Sequence, residues 1–190
     1  MLWVVLGVVL FVLFILALGS QHGTQLPDGV LVEIPNGSRP THDLRSREYD
    51  DDDGTRHRGF VLYRRKGNQR LSWGGIAGET NCRAFNVAGA TKYPEALRSP
   101  DFNVGREVTL TPEPDNPYDS KALAVWNRAG TLHVGYIPRK ATGRWTILND
   151  IKKGEGPRTF VANEGLRSGE RVSLRLLCVY PDAPIFVESR

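Results

Sequence analysis

Hydrophobic and polar positions divide the chain into three stretches of different pattern. Leu2 to Leu18 are seventeen consecutive residues without one polar or charged side chain. As a helix they reach about 26 Å, close to the roughly 30 Å hydrocarbon core of a bilayer. Residues 1–19 therefore read as a transmembrane anchor. No Lys or Arg precedes the run, and it exceeds the core of a cleavable signal peptide, although Ala17-Leu18-Gly19 imitates a small-residue cleavage site. Residues 20–80 sustain neither a helical nor a strand period, because Gly, Pro, Ser and charged residues alternate irregularly. Such a stretch buries too little apolar area to offset the entropy of ordering, so it reads as a flexible, disordered tether. Within it, Phe60-Val61-Leu62-Tyr63-Arg64-Arg65-Lys66 is short, aromatic and basic, suiting either an anionic membrane surface or an edge strand.

From Phe85 the pattern becomes orderly, and residues 81–190 read as one folded domain. Phe85 to Gly89 alternates apolar and small residues and suits a first strand. Pro94 belongs in the first turn of a short helix carrying Ala96 and Leu97. Val108 and Leu110 then face one side of a strand, with Glu107, Thr109 and Thr111 on the other. Leu123 and Val125 continue that face, with Trp126 opposite. Asn127 to Thr131 supplies a hairpin turn, and Leu132, Val134 and Tyr136 form the next inward row. A helix is predicted from Arg139 to Lys152, with Ala141, Trp145, Leu148 and Ile151 recurring on one face. Two more strands follow, near residues 158–163 and 171–180, the last with Val172, Leu174, Leu176 and Cys178 on a shared face. Six short strands and two helices around one small core predict a mainly β, α+β domain, a closed or nearly closed barrel rather than a parallel sheet.

Charge changes this picture a little. The net charge is +4, and residues 21–80 carry nine basic and nine acidic side chains, so the whole excess lies in the folded part. That excess is compatible with a phosphate-bearing partner and equally with ordinary solvation. Asp50 to Asp53 fail as a calcium loop, since Tyr49 and Phe60 stand where the first and last ligands belong. They read as solvated charge. Cys82 and Cys178 share no metal-ligand spacing and read as two reduced thiols, a disulfide requiring an oxidising compartment. No metal site or cofactor is expected. The chain holds no phosphate-loop, nucleophile-elbow or HExxH pattern, so no catalytic residues are expected.

The most informative segment is Glu113-Pro114-Asp115-Asn116-Pro117-Tyr118-Asp119, which sets two prolines, four acid or amide side chains and one tyrosine between two apolar strands. The run from this loop through Ala122-Leu123-Ala124-Val125 to Val134-Gly135-Tyr136-Ile137-Pro138 resembles the HIRAN domain. That family is a small β-barrel module found fused to DNA-remodelling enzymes and also alone in bacterial proteins. The resemblance covers roughly residues 82–187 and implies a modified OB-like, six-stranded barrel. It also implies a pocket beside the loop for the free 3′ end of single-stranded DNA, with Asn116, Tyr118 and Asp119 in matching roles and Tyr136 in the same motif. A carboxylate or amide can accept the proton of a terminal hydroxyl, and an aromatic ring can stack a base of any identity. A carboxylate also repels a continuing phosphate, which favours ends. Lys92 and Tyr93 fall where the family places a basic and aromatic pair, but the order Thr91-Lys92-Tyr93 sets the basic residue one place late. Arg139 and Lys140, at the predicted helix start, are the expected phosphate contacts. Asn before Pro and Asp before Ser are also ordinary turn formers, so a structural role for the loop stays open.

Together these features predict a membrane-tethered module for single-stranded DNA or nucleic acid more broadly. The alternative is a protein-interaction or structural domain that keeps the barrel without DNA binding. The first basic residues after the apolar run, Arg39, Arg45 and Arg47, point to a single-pass cell-membrane protein with a cytoplasmic C-terminal domain.

Overall fold

Strand pairing begins earlier than the sequence pattern does. The computed structural model describes residues 42–78 and 80–180, and the backbone of 185–186. It opens with β1 (His42–Asp50), β2 (Arg56–Arg64) and the short β3 (Gln69–Arg70). β4 (Cys82–Asn86), β5 (Glu107–Glu113), β6 (Ala122–Asn127) and β7 (His133–Tyr136) follow, then β8 (Arg158–Arg167), β9 (Glu170–Val179) and β10 (Ile185–Phe186). All ten join one sheet. Two α-helices are described, α1 (Pro94–Arg98) and α2 (Arg144–Lys153).

The six predicted strands are β4 to β9, and they curl into a nearly closed barrel. The neighbours run β4–β9–β8–β5–β6–β7, every pair antiparallel. The ring closes where Ala88, just past β4, meets Tyr136 of β7. Ala88 N–H donates to the Tyr136 carbonyl at 2.7 Å, and Tyr136 N–H returns the bond at 3.0 Å. Gly135 permits this approach: its φ is +138°, and a Cβ there would lie 2.5 Å from the Ala88 carbonyl oxygen. Leu123, Val125, Val134, Val161, Leu176 and Cys178 fill the interior, joined by Ala96 and Leu97 of α1 and by Ile147 and Leu148 of α2. Cys82 and Cys178 are both buried and are not joined in a disulfide; burial pushes the Cys178 thiol up to about 12.

Residues 42–64 correct the expectation of a disordered tether through residue 80. β1 and β2 form a nine-pair hairpin. β2 also pairs with the second half of β8, Gly59 opposite Asn163, beyond a register shift at Val161/Asn163. β2 is therefore an interior strand of the sheet rather than an edge strand, and its Phe60-Val61-Leu62 side chains are buried. Leu44, Phe60, Leu62, Leu71 and Ile76 cover Phe160, Ala162, Leu177 and Val179 in a second core. Each such side chain contributes about 1.5–3 kcal/mol by leaving water. The four aspartates are exposed, as a solvated-charge reading expects, with Asp50 closing β1 and Asp51 to Asp53 forming the hairpin tip. Thr55 N–H donates to Asp51 and Asp53 at 2.9 Å each, and Arg167 pairs with Asp53 at 2.6 Å.

The second helix also starts later than predicted. Pro138 to Gly143 form turns, with Ala141 N–H donating to the Pro138 carbonyl at 3.0 Å. Gly143 then takes a φ of +86°, a left-handed conformation through which a helix cannot run. The buried face of α2 is Arg144, Ile147 and Leu148. Trp145, predicted to share it, points outward and is 53% exposed. The predicted anchor at residues 1–19 and the tether up to residue 41 lie outside the described residues. Among the described residues no helix is long and apolar enough to cross a membrane.

Candidate nucleic-acid interface

The loop between β5 and β6 is held by its own acid and amide groups. Glu113 pairs with Ala122 at the base of the loop. Inside it, Asn116 Oδ1 accepts from Tyr118 N–H at 3.0 Å and from Asp119 N–H at 3.3 Å, while its Nδ2 donates to Glu113 at 2.8 Å. Asp119 Oδ1 accepts from Lys121 N–H at 3.0 Å. Its Oδ2 accepts from the Arg144 guanidinium at 2.7 Å, and Arg144 also donates to the Lys121 carbonyl at 2.6 Å. The Arg144 hydrogen bond holds the Asp119 carboxyl below the usual carboxylate range. This frame leaves Tyr118 88% exposed, with no packing to account for it.

Facing the loop is an aromatic wall. Tyr136 O–H donates to Glu113 Oε2 at 3.1 Å. Burial first, and then that carboxylate, push the Tyr136 hydroxyl up to about 12. His133 packs against Tyr93, Tyr136 and Trp126, with ring centres 4.5, 4.7 and 5.0 Å away. Burial lowers its pKa, and Nε2–H donates to the Gly135 carbonyl at 2.9 Å. At neutral pH the wall is thus uncharged, with the Glu113 carboxylate at its foot.

Loop and wall enclose an open cavity of about 1020 Å³. Seven of the eight predicted residues line it: Lys92, Tyr93, Asn116, Tyr118, Asp119, Tyr136 and Arg139. Lys140 does not. It is exposed on the turn before α2, and since the helix begins at Arg144, neither Arg139 nor Lys140 stands at a helix N-terminus. Sequence reasoning missed Glu113 as a wall carboxylate and Arg144 as the clamp on Asp119. A helical stripe placing Arg144 with Ile147, Leu148 and Ile151 was the available signal for the second. Among the described residues no cluster of His, Cys, Asp and Glu suited to a metal ion occurs.

Residues 82–176, half of the chain, match the model of the HIRAN domain family. The chain belongs to the HIRAN domain family. The HIRAN domain is in general a nucleic-acid-binding module and is not catalytic by itself. The matched span contains β4 to β8, most of β9, the loop and the cavity, while the β1–β2 hairpin lies before it. Among solved structures the chain is similar to the crystal structure of a protein from Lactobacillus plantarum, at 21% identity and a TM-score of 0.39. That likeness covers 50% of this chain and 89% of the other. No curated protein matches the chain.

Proposed function

We propose that this HIRAN domain binds single-stranded DNA with a free 3′ end seated in the cavity between Tyr118 and the Tyr93–Tyr136 wall. The observation that carries the reading is Tyr118, held 88% exposed over the cavity by a loop framed through the Glu113, Asn116 and Asp119 side chains. Tyr118 and Tyr93 stack bases, and Lys92 and Arg139 take phosphates. A carboxylate offers about four acceptor sites. Asp119 uses two of them internally and retains capacity for a terminal hydroxyl. Glu113, held by the neutral donors Asn116 and Tyr136, repels a strand that would continue through the cavity. The apolar run at residues 1–19 supports a single-pass tether, with the domain on the cytoplasmic side where nucleic acid is present.

The test is binding of labelled single strands to the full-length chain in detergent across a salt series. Tyr118→Ala and Tyr93→Ala each weaken binding by roughly 5- to 100-fold, the worth of one stacked base. Affinity falls as salt rises, by about 0.7 log unit per decade for each phosphate neutralised. Arg139→Ala shallows that slope, whereas Lys140→Ala leaves it unchanged. No salt dependence and no response to either tyrosine would transfer the lead to the protein-interaction alternative.

A further inference from the structure

The loop that walls the cavity has a second side. A recess of about 540 Å³ lies there, lined by Ser120, Lys121, Arg139 and Arg144 together with the back of the Asn116–Asp119 wall. Beside it stands Trp145, whose indole carries the Lys121 ammonium 4.6 Å from its ring centre. Tyr118 and Trp145 are the two large hydrophobic side chains left exposed among the described residues. One stands on the wall and the other next to the recess behind it. Arg144 is committed to Asp119 and to the Lys121 carbonyl, which fixes both the wall and the backbone that carries Lys121. Arg139 lines the cavity and the recess alike, so a single cation bridges the two spaces.

We propose that this recess is a second nucleotide subsite, where Trp145 stacks a base of the strand after it has left the cavity. Arg139 takes the phosphate that crosses the wall, and Lys121 takes that of the base on the indole. An exposed indole with one cation on its ring, next to a recess lined by a second, suits a chain that alternates π-faces with negative charges. The inference rests on the reading of the cavity as the seat of a strand end. It adds that affinity grows with strand length because of one named side chain.

Fluorescence anisotropy on the full-length chain in detergent tests it, with a labelled oligothymidylate octanucleotide as probe and an unlabelled dinucleotide as competitor. Trp145→Ala weakens the octanucleotide by roughly 5- to 30-fold and leaves the dinucleotide within about twofold, since stacking on an exposed ring falls in the lower part of its range. Trp145→Phe, which keeps a ring, stays within about threefold of the wild type for both. An unchanged octanucleotide affinity in Trp145→Ala, or equal losses for both lengths, overturns the subsite and leaves the cavity reading intact. If the wild type binds neither length, the cavity reading falls and the subsite with it.

Discussion

Arg144 is a nearly buried cation in a binding loop's foundation, and removing it has calculable consequences. Its side chain is 7% exposed and that of Asp119 is 19% exposed, so water screens the pair poorly. Arg144→Ala leaves Asp119 without its cation and the Lys121 carbonyl without its 2.6 Å donor. Breaking a charge-assisted contact of this burial costs about 2–4 kcal/mol. In a protein of this size that lowers the thermal midpoint by about 5–15 °C. A double-mutant cycle with Asp119→Ala assigns the loss: the second substitution costs much less once the first is present. The pH dependence has a definite sign. Because the Asp119 carboxyl is depressed in the folded state, its contribution is complete above the ordinary value of 3.8 and is lost as pH falls through the lower folded value. The gap between wild type and Arg144→Ala is therefore full near neutrality and narrows below about pH 4. Denaturant unfolding at several pH values measures it. A loss under about 0.5 kcal/mol, or fully additive mutants, refutes the clamp.

Leu123→Ala, at a fully buried barrel position, costs about 2–5 kcal/mol in the same unfolding assay; a loss under about 1 kcal/mol contradicts the barrel interior described here. A fragment starting at residue 80 discards Leu44, Phe60, Leu62, Leu71 and Ile76 from the second core, and so uncovers Phe160, Leu177 and Val179. It melts lower than a fragment starting at residue 42 and binds more of a hydrophobic dye; equal midpoints and dye binding would detach the hairpin from the fold. On the proposed tether, residues 1–19 should hold the full-length chain in membranes through alkaline carbonate washing, and a soluble form beginning at Ser20 would show cleavage instead.

The barrel was legible where burial is one-sided. Val108 and Leu110 alternate with exposed neighbours, and Pro94 with Ala96 and Leu97 marks a short helix. The hairpin was not legible. In β1 only Leu44 joins a core, and its charged residues carry no alternation. In β2 Phe60, Val61 and Leu62 are all buried, so the strand period disappears. The start of α2 turned on one backbone angle, at Gly143, which composition does not disclose. Within the site, Tyr118 was legible in the loop pattern and Tyr93 in the basic and aromatic pair after Gly89, whereas Arg139 lines the cavity without the helix start that had pointed to it. Glu113 was not legible, because its meeting with Tyr136 depends on the register of three strands. Arg144 escaped notice for another reason: hydrophobic periodicity assigns a charged residue to the solvent side, and here a partly buried carboxylate partner reverses that.

The claim that the cavity receives a strand end is tested most directly by topology of the ligand. The full-length chain is offered one single-stranded DNA sequence in three forms: linear with a 3′ hydroxyl, linear with a 3′ phosphate, and covalently circular. Equilibrium competition should rank the 3′ hydroxyl form first, the 3′ phosphate form below it because of Glu113 and Asp119, and the circle last. Equal affinity for the circle and the linear strand would contradict end recognition and leave a surface that binds nucleic acid without regard to ends.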